Sequence, residues 1–194
     1  MGTRIGSICV YCGSGMGARP AYADAARSLA RALADSGISL VYGGGNVGLM
    51  GVIADELMRL GGEVIGVIPR ALMDMEVGHV GLTRLHIVKD MHDRKAMMAD
   101  LADGFIAMPG GIGTLEELFE MLTWAQLGFH GKPIGVLNVN RFYDGLANLL
   151  EHIVSEGFLK IEDTARLIYE ENPDLLIRRL QAGTPGAGTR NVVA

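Results

Sequence analysis

Ala107-Met-Pro-Gly-Gly-Ile-Gly-Thr-Leu-Glu-Glu117 holds a strand end, a glycine loop and a helix start within one short segment. The apolar run 105–108 has the composition of a buried strand, and Pro109 stops it. Gly110, Gly111 and Gly113 then allow a neighbour to come close to the backbone. Leu115, Leu118, Phe119 and Leu122 recur at helical spacing, so the loop's N–H groups sit at a helix N-terminus. Such an end carries unpaired donors and a positive partial charge, which suits a phosphate. A structural reading stands beside this one: Thr114-Leu-Glu-Glu117 fits a capping box, with the Thr114 hydroxyl on the N–H of Glu117 and the Glu117 carboxylate reaching back.

Upstream, 85–88 reads as a strand that enters a helix through Asp90, an N-cap residue type. Arg94 and Lys95 fall in the first turns of that helix, where cations oppose the dipole. An anion or carboxylate nearby would explain them; a solvated helix face is the plain alternative. Earlier strands are expected at 5–11, 38–42 and 64–68. A small-residue turn, 12–17, follows the first of them. Loop 43–51 contains Gly43-x-Gly45-x-x-Gly48, with Glu63 at the start of the next strand, the outline of a dinucleotide fingerprint. It follows the second strand instead of the first, and close helix-to-sheet packing or one wall of a nucleotide cleft accounts for its glycines equally well. Residues 69–83, from Pro69 through Glu76 and His79, read as a long irregular loop, a lid or part of a site. Downstream come strands at 134–139 and 165–169, and a final helix opening at Pro173. Residues 1–182 form a single domain in this reading, and 183–194, rich in glycine, a flexible tail.

About seven apolar strands alternating with helices specify an α/β fold, a doubly wound and mostly parallel sheet with helices on both faces. Ligands of such sheets bind where strand C-termini meet helix N-termini, and the three glycine loops and Arg94 all fall on that edge. The chain has 194 residues, 49% of them apolar, and 28 glycines, enough for a full core without metal or disulfide. A net charge of -5 and the lack of a basic run give no reason to expect a nucleic-acid partner. No apolar segment is long enough to span a bilayer, and 1–5 lead straight into a strand, so a cytoplasmic protein is expected. Cys9 and Cys12 form a C-x-x-C, redox-active or half a zinc site in principle. With no second cysteine pair or histidine cluster, buried thiol packing is preferred, and neither metal nor cofactor is expected.

Met91-His-Asp-Arg-Lys-Ala96 and Pro109-Gly-Gly-Ile-Gly-Thr-Leu-Glu-Glu117 together resemble the LONELY GUY (LOG) family of phosphoribohydrolases, whose members are often labelled lysine decarboxylases. The likeness runs from the first strand to about residue 169 and includes 42–51 and 123–128. It implies a Rossmann-like homodimer that hydrolyses nucleoside 5′-monophosphates, AMP or cytokinin ribotides, to free base and ribose 5-phosphate. It also implies catalytic roles for Arg94 and Glu117. Substrate contacts fall on Glu76, Arg94, Lys95, Gly111, Ile112, Gly113, Thr114, Leu115, Glu116, Glu117 and Thr123. Ile112 stands where plant members often have tyrosine, a change that leaves the loop's backbone donors in place. Cleavage of an N-glycosidic bond passes through an oxocarbenium-like sugar, which a carboxylate such as Glu117 can stabilise while it orients or deprotonates a water. A bidentate pair with Arg94 would keep that carboxylate ionised. Met91, Met98 and Trp124 are candidates for the base pocket. A decarboxylase would need pyridoxal phosphate on a lysine, and Lys89, Lys95, Lys132 and Lys160 lack a recognisable Schiff-base setting. The competing readings are a non-catalytic nucleotide sensor of the same fold and a dinucleotide oxidoreductase.

Overall fold

The computed structural model describes residues 5–76 and 78–183. Its elements are β1 (Ser7–Tyr11), α1 (Pro20–Asp35), β2 (Ser39–Tyr42), α2 (Gly48–Arg59), β3 (Val64–Pro69), α3 (Arg70–Glu76), β4 (Arg84–Val88), α4 (Met91–Leu101), β5 (Gly104–Ala107), α5 (Ile112–Leu127), β6 (Ile134–Leu137), α6 (Asp144–Ser155), α7 (Ile161–Thr164), β7 (Leu167–Glu170) and α8 (Pro173–Ala182). The strands form one sheet in the order β4-β3-β2-β1-β5-β6-β7, and every pair is parallel. All seven expected strands are present, within a few residues of their anticipated limits.

Alternation along the central strands divides the core. Ile8, Val10 and Cys12 face the layer of α1, α2 and α8, while Cys9 and Tyr11 face that of α4, α5 and α6. The C-x-x-C thus points its thiols to opposite faces; both are free and buried, and burial pushes both up in pKa. From β1 the chain lays β2, β3 and β4 to one side, then returns through α4 to place β5 on the other. The carboxyl ends of β1 and β5 therefore flank the topological switch point, where the two outgoing loops diverge and leave a crevice.

Three local expectations need correction. Residues 69–83 are not irregular throughout: Arg70–Glu76 is helical, because it contains good helix formers without proline or glycine and Pro69 ends the strand ahead of it. Beyond it, Gly78 bridges Gly45, and the His79 N–H donates to the Gly44 carbonyl at 3.0 Å, which ties the segment to the second glycine loop. Thr114 is not an N-cap. Helix α5 starts at Ile112 with Gly111 as cap and no side-chain cap bond, so Thr114 lies buried in its first turn. There its hydroxyl packs on Gly110, where an added Cβ would meet Oγ1 at 2.1 Å. The short helix α7 precedes β7, which starts at Leu167 and not at 165. Of the expected tail, 184–194 lies outside the described residues.

The glycine loops interlock. Gly48 has φ +58, and a Cβ there would stand 2.3 Å from the Ser14 carbonyl carbon. Gly48→Ala is expected to lower the unfolding free energy by about 2–4 kcal/mol through left-handed strain plus the displaced loop. Urea denaturation followed by circular dichroism measures it; an unchanged midpoint would contradict this packing.

Candidate active site

A cavity of about 280 Å³ opens at the switch point. Its floor is the end of β1, with Tyr11 and Cys12, and its walls come from Ser14, Gly43 and Met50 on one side and the N-terminus of α5 on the other. Backbone hydrogen bonds set the wall positions. The Met108 N–H donates to Tyr11 O at 2.9 Å, the Gly13 N–H to Pro109 O at 3.1 Å, and the Leu49 N–H to Gly13 O at 3.0 Å. The buried Tyr143 hydroxyl donates to Met108 O at 2.6 Å and secures the strand end from below.

Arg94 enters this cavity from α4, whose N-cap is Asp90 as expected, accepting from the His92 and Asp93 N–H groups at 3.0 Å each. The solvated-face alternative fails, since Arg94 is 8% exposed. Nη2 donates to Gly43 O at 2.8 Å and Nε to Val67 O at 3.2 Å, so a carbonyl just past β2 and one within β3 hold the guanidinium. An added Cβ at Gly43 would stand 2.0 Å from Arg94 Nη2, so a larger residue there would displace the guanidinium from this seat. Nη1 has only the Met91 sulfur at 3.7 Å and remains available to the cavity.

Glu117 projects from the second turn of α5 into the same cavity. Burial raises its pKa from 4.5 to about 7; the charge of Arg94 offsets part of that rise, Glu116 adds to it, and Lys95 opposes it. The expected bidentate Arg94–Glu117 pair is not formed: no ion pair joins them among the described residues, because the guanidinium is committed to the strand carbonyls. Nor is Glu117 held fully ionised near neutrality. A carboxylate of this kind can take and release a proton at physiological pH.

Gly111, Ile112, Gly113 and Thr114 line the cavity, and the Cβ directions of Gly111 and Gly113 point into open space. Ile112 is 82% exposed, so this part of the wall is mainly backbone. Lys95 stands beside the cavity with its ammonium on Glu116 at 2.5 Å and Glu120 at 3.1 Å, the carboxylate partnership its position called for. Leu115 packs into the core under α5, and the Thr123 hydroxyl donates to Phe119 O at 2.7 Å on the exposed side. Glu76 ends α3, and its side chain lies outside the described part of the structure. Of the proposed base-pocket residues, Met98 lines the cavity; Trp124 packs into the core, and Met91 is half exposed beside Arg94. Gly43 lines the cavity, in line with the cleft-wall reading of its loop, whereas Ser14 and Met50 are lining residues the sequence did not single out. The small-residue turn at 12–17 and the second glycine loop were their only signals.

The dinucleotide outline does not describe a cofactor site. Gly43 seats Arg94, Gly44 has φ +75 against the β3 backbone, and Gly48 packs on Ser14. Glu63 lies at the opposite, amino-terminal edge of the sheet, bonded to Ser39 at 2.8 Å and paired with Arg84. No group of three or more potential metal ligands occurs among the described residues. No helix there is long and apolar enough to cross a membrane.

A buried carboxylate with a raised pKa costs stability in its ionised form. Below about pH 4.5 Glu117 is neutral folded or unfolded; between 4.5 and about 7 the folded state binds the extra proton, so its contribution to stability falls as pH rises. Glu117→Gln is therefore expected to be more stable than wild type by on the order of 2–3 kcal/mol at pH 8. The gap should close toward pH 4.5. Paired urea titrations at pH 5 and pH 8 test this, and equal stabilities at pH 8 would contradict it.

Residues 50–180 match the family model described as possible lysine decarboxylase. The chain is 52% identical to the rice (Oryza sativa subsp. japonica) cytokinin riboside 5′-monophosphate phosphoribohydrolase LOG, over 86% of this chain and 68% of that one. It is 48% identical to the rice probable cytokinin riboside 5′-monophosphate phosphoribohydrolase LOGL1, over 93% and 81%. Identity to LOG5 of Arabidopsis thaliana is 45%, over 94% and 80%. Among solved structures, the molybdenum cofactor binding protein of Rippkaea orientalis superposes with a TM-score of 0.67 at 22% identity, covering 91% of this chain and 95% of that one. The Moco carrier protein of Chlamydomonas reinhardtii gives 0.68 at 18%, covering 92% and 99%. At such identities the structural likeness speaks for the fold alone. With about half its residues shared across most of both chains, and with Arg94, Glu117 and the α5 loop gathered in one cavity, the chain belongs to the LOG family of cytokinin riboside 5′-monophosphate phosphoribohydrolases.

Proposed function

We propose that this chain hydrolyses the N-glycosidic bond of adenine-type nucleoside 5′-monophosphates, AMP or a cytokinin ribotide, to free base and ribose 5-phosphate. One observation carries the reading: a largely buried carboxylate, its pKa pushed up to about 7 by desolvation, shares a cavity with a buried arginine at a helix N-terminus. The α5 N-terminus offers backbone donors and a positive partial charge to the 5′-phosphate. Arg94 Nη1 adds a fixed cation nearby. As the C1′–N bond lengthens, ionised Glu117 steadies the positive charge on the sugar and takes a proton from the attacking water. The water oxygen joins C1′ as the C1′–N bond breaks, and the proton taken from the water passes from Glu117 to the departing base nitrogen, which returns the carboxylate to its ionised form. No metal or cofactor enters this scheme. Glu76, Glu116 and Thr123 enter as substrate contacts on the family pattern, whereas Lys95 is engaged by Glu116 and Glu120 and Leu115 packs into the core.

A lysine decarboxylase finds less support. Lys95 is held by two carboxylates, and Lys132 Nζ donates to Ala99 O at 2.7 Å, so neither is poised to form a Schiff base. We further place the protein in the cytoplasm as a homodimer that binds no nucleic acid. Two free thiols suit a reducing compartment, and exposed Leu127, Phe129, Phe158 and Ile161 offer apolar surface for a second copy.

Chromatography after incubation with AMP, and separately with isopentenyladenosine 5′-monophosphate, tests the reading. Wild type should release base and ribose 5-phosphate, and Glu117→Gln should lower kcat at least about 100-fold. Because Glu117 acts ionised, kcat/KM should fall as pH drops below about 7. Binding of both nucleotides without release would make the protein a sensor instead.

A further inference from the structure

The two candidate catalytic side chains sit on different helices, Arg94 on α4 and Glu117 on α5. Their sequence neighbours join those helices. Lys95 follows Arg94 directly, and Glu116 and Glu120 bracket Glu117. Lys95 reaches across to both carboxylates, 2.5 Å from Glu116 Oε1 and 3.1 Å from Glu120 Oε1, with only 11% of its side chain exposed. The two acids differ. Glu116 is half exposed, so water competes for it. Glu120 is 22% exposed, and its Oε2 is buried with no hydrogen-bond partner.

A buried carboxylate oxygen without a donor is unfavourable, and a hydrophobic residue at this position would avoid that penalty. The acid is therefore poorly explained by stability. It is explained by what Oε1 holds. An ammonium fixed between helices resists their sliding or separation, because any such movement strands a largely buried charge. Arg94 is anchored to the strands through Gly43 and Val67, whereas Glu117 depends on where α5 lies.

We propose that Glu120 is a positioning residue: through Lys95 it braces α5 against α4 and so fixes the separation of Glu117 from Arg94. This rests on the hydrolase reading above. Glu120 touches no substrate in this role; it acts through geometry, to which catalytic rates are steeply sensitive.

Steady-state hydrolysis of AMP by Glu120→Gln, Glu120→Leu, Lys95→Met and the double variant Lys95→Met/Glu120→Leu decides the matter. Both Glu120 variants should lose 10- to 100-fold in kcat, about what a displacement near 1 Å produces, with KM changed less than about threefold. The double variant should be no worse than the worse single, because both remove one brace. Arg31→Gln serves as control: it breaks another interhelical ion pair, to Glu56 at 3.2 Å, away from the cavity, and should leave kcat unchanged. Glu120→Gln is nearly isosteric and decides the case if circular dichroism shows the leucine variant unfolded. The proposal is overturned by Glu120→Gln with wild-type kcat, by a loss confined to KM, or by single effects that multiply in the double variant. Multiplying effects would make Lys95 an independent substrate contact. A wild type that releases no base would instead remove the hydrolase reading and this inference with it, a signature distinct from an active wild type with indifferent Glu120 variants.

Discussion

The peptide unit of Gly13 joins the loops from which the cavity is built. Its N–H donates to Pro109 at the end of β5, and its carbonyl accepts from Leu49 at the start of α2. One residue thus fixes the first loop against both neighbours, with Gly110 so close that a Cβ on Gly13 would stand 3.3 Å from its Cα. The α2 end has a donor engaged by Gly13, whereas the α5 loop is secured through the Met108 and Pro109 carbonyls and lines the cavity with residues 111–114. Two glycine loops that look equivalent in sequence therefore do different jobs.

Within this frame the site keeps a charge conflict unresolved. Arg94 is satisfied by strand carbonyls, and Lys95 by two acids; Glu117, between them, has no ion-pair partner among the described residues. Its raised pKa follows from that arrangement and from burial. A direct Arg94–Glu117 pair would make a more stable protein and a weaker base, because paired carboxylates give up proton affinity.

Much of this was legible in the sequence, for physical reasons that differ by element. The inner strands were visible because strands covered on both faces are continuous apolar runs, as at 64–68 and 105–108, while the edge strands β4 and β7 are only partly buried. The 111–114 loop was legible through a glycine-rich helix start and Arg94 through a cation at the wrong end of a helix, whereas the catalytic assignment of Arg94 and Glu117 came from the resemblance of two motifs to the LOG family. Helix α3 was hidden because Pro69 was read as opening a loop when it closes a strand. The Thr114 capping box failed because a local motif cannot tell where tertiary contacts start the helix. Ser14 and Met50 reach the cavity only because β1 lies between β2 and β5, a property of strand order that no local pattern carries. The partners of Lys95, 21 and 25 positions away on the next helix, were hidden for the same reason.

The seating of Arg94 has a consequence for binding thermodynamics. A free arginine side chain surrenders up to about 2 kcal/mol of rotamer entropy when it is immobilised. Here that loss is incurred when the chain folds, since Nε and Nη2 are already bonded to Val67 and Gly43 without any ligand. An incoming anion meets a cation whose orientation is settled, and the attraction is not diminished by an ordering cost at that side chain. Preorganisation of this kind favours small, highly charged ligands, for which a single well-aimed guanidinium edge supplies a large share of the total affinity.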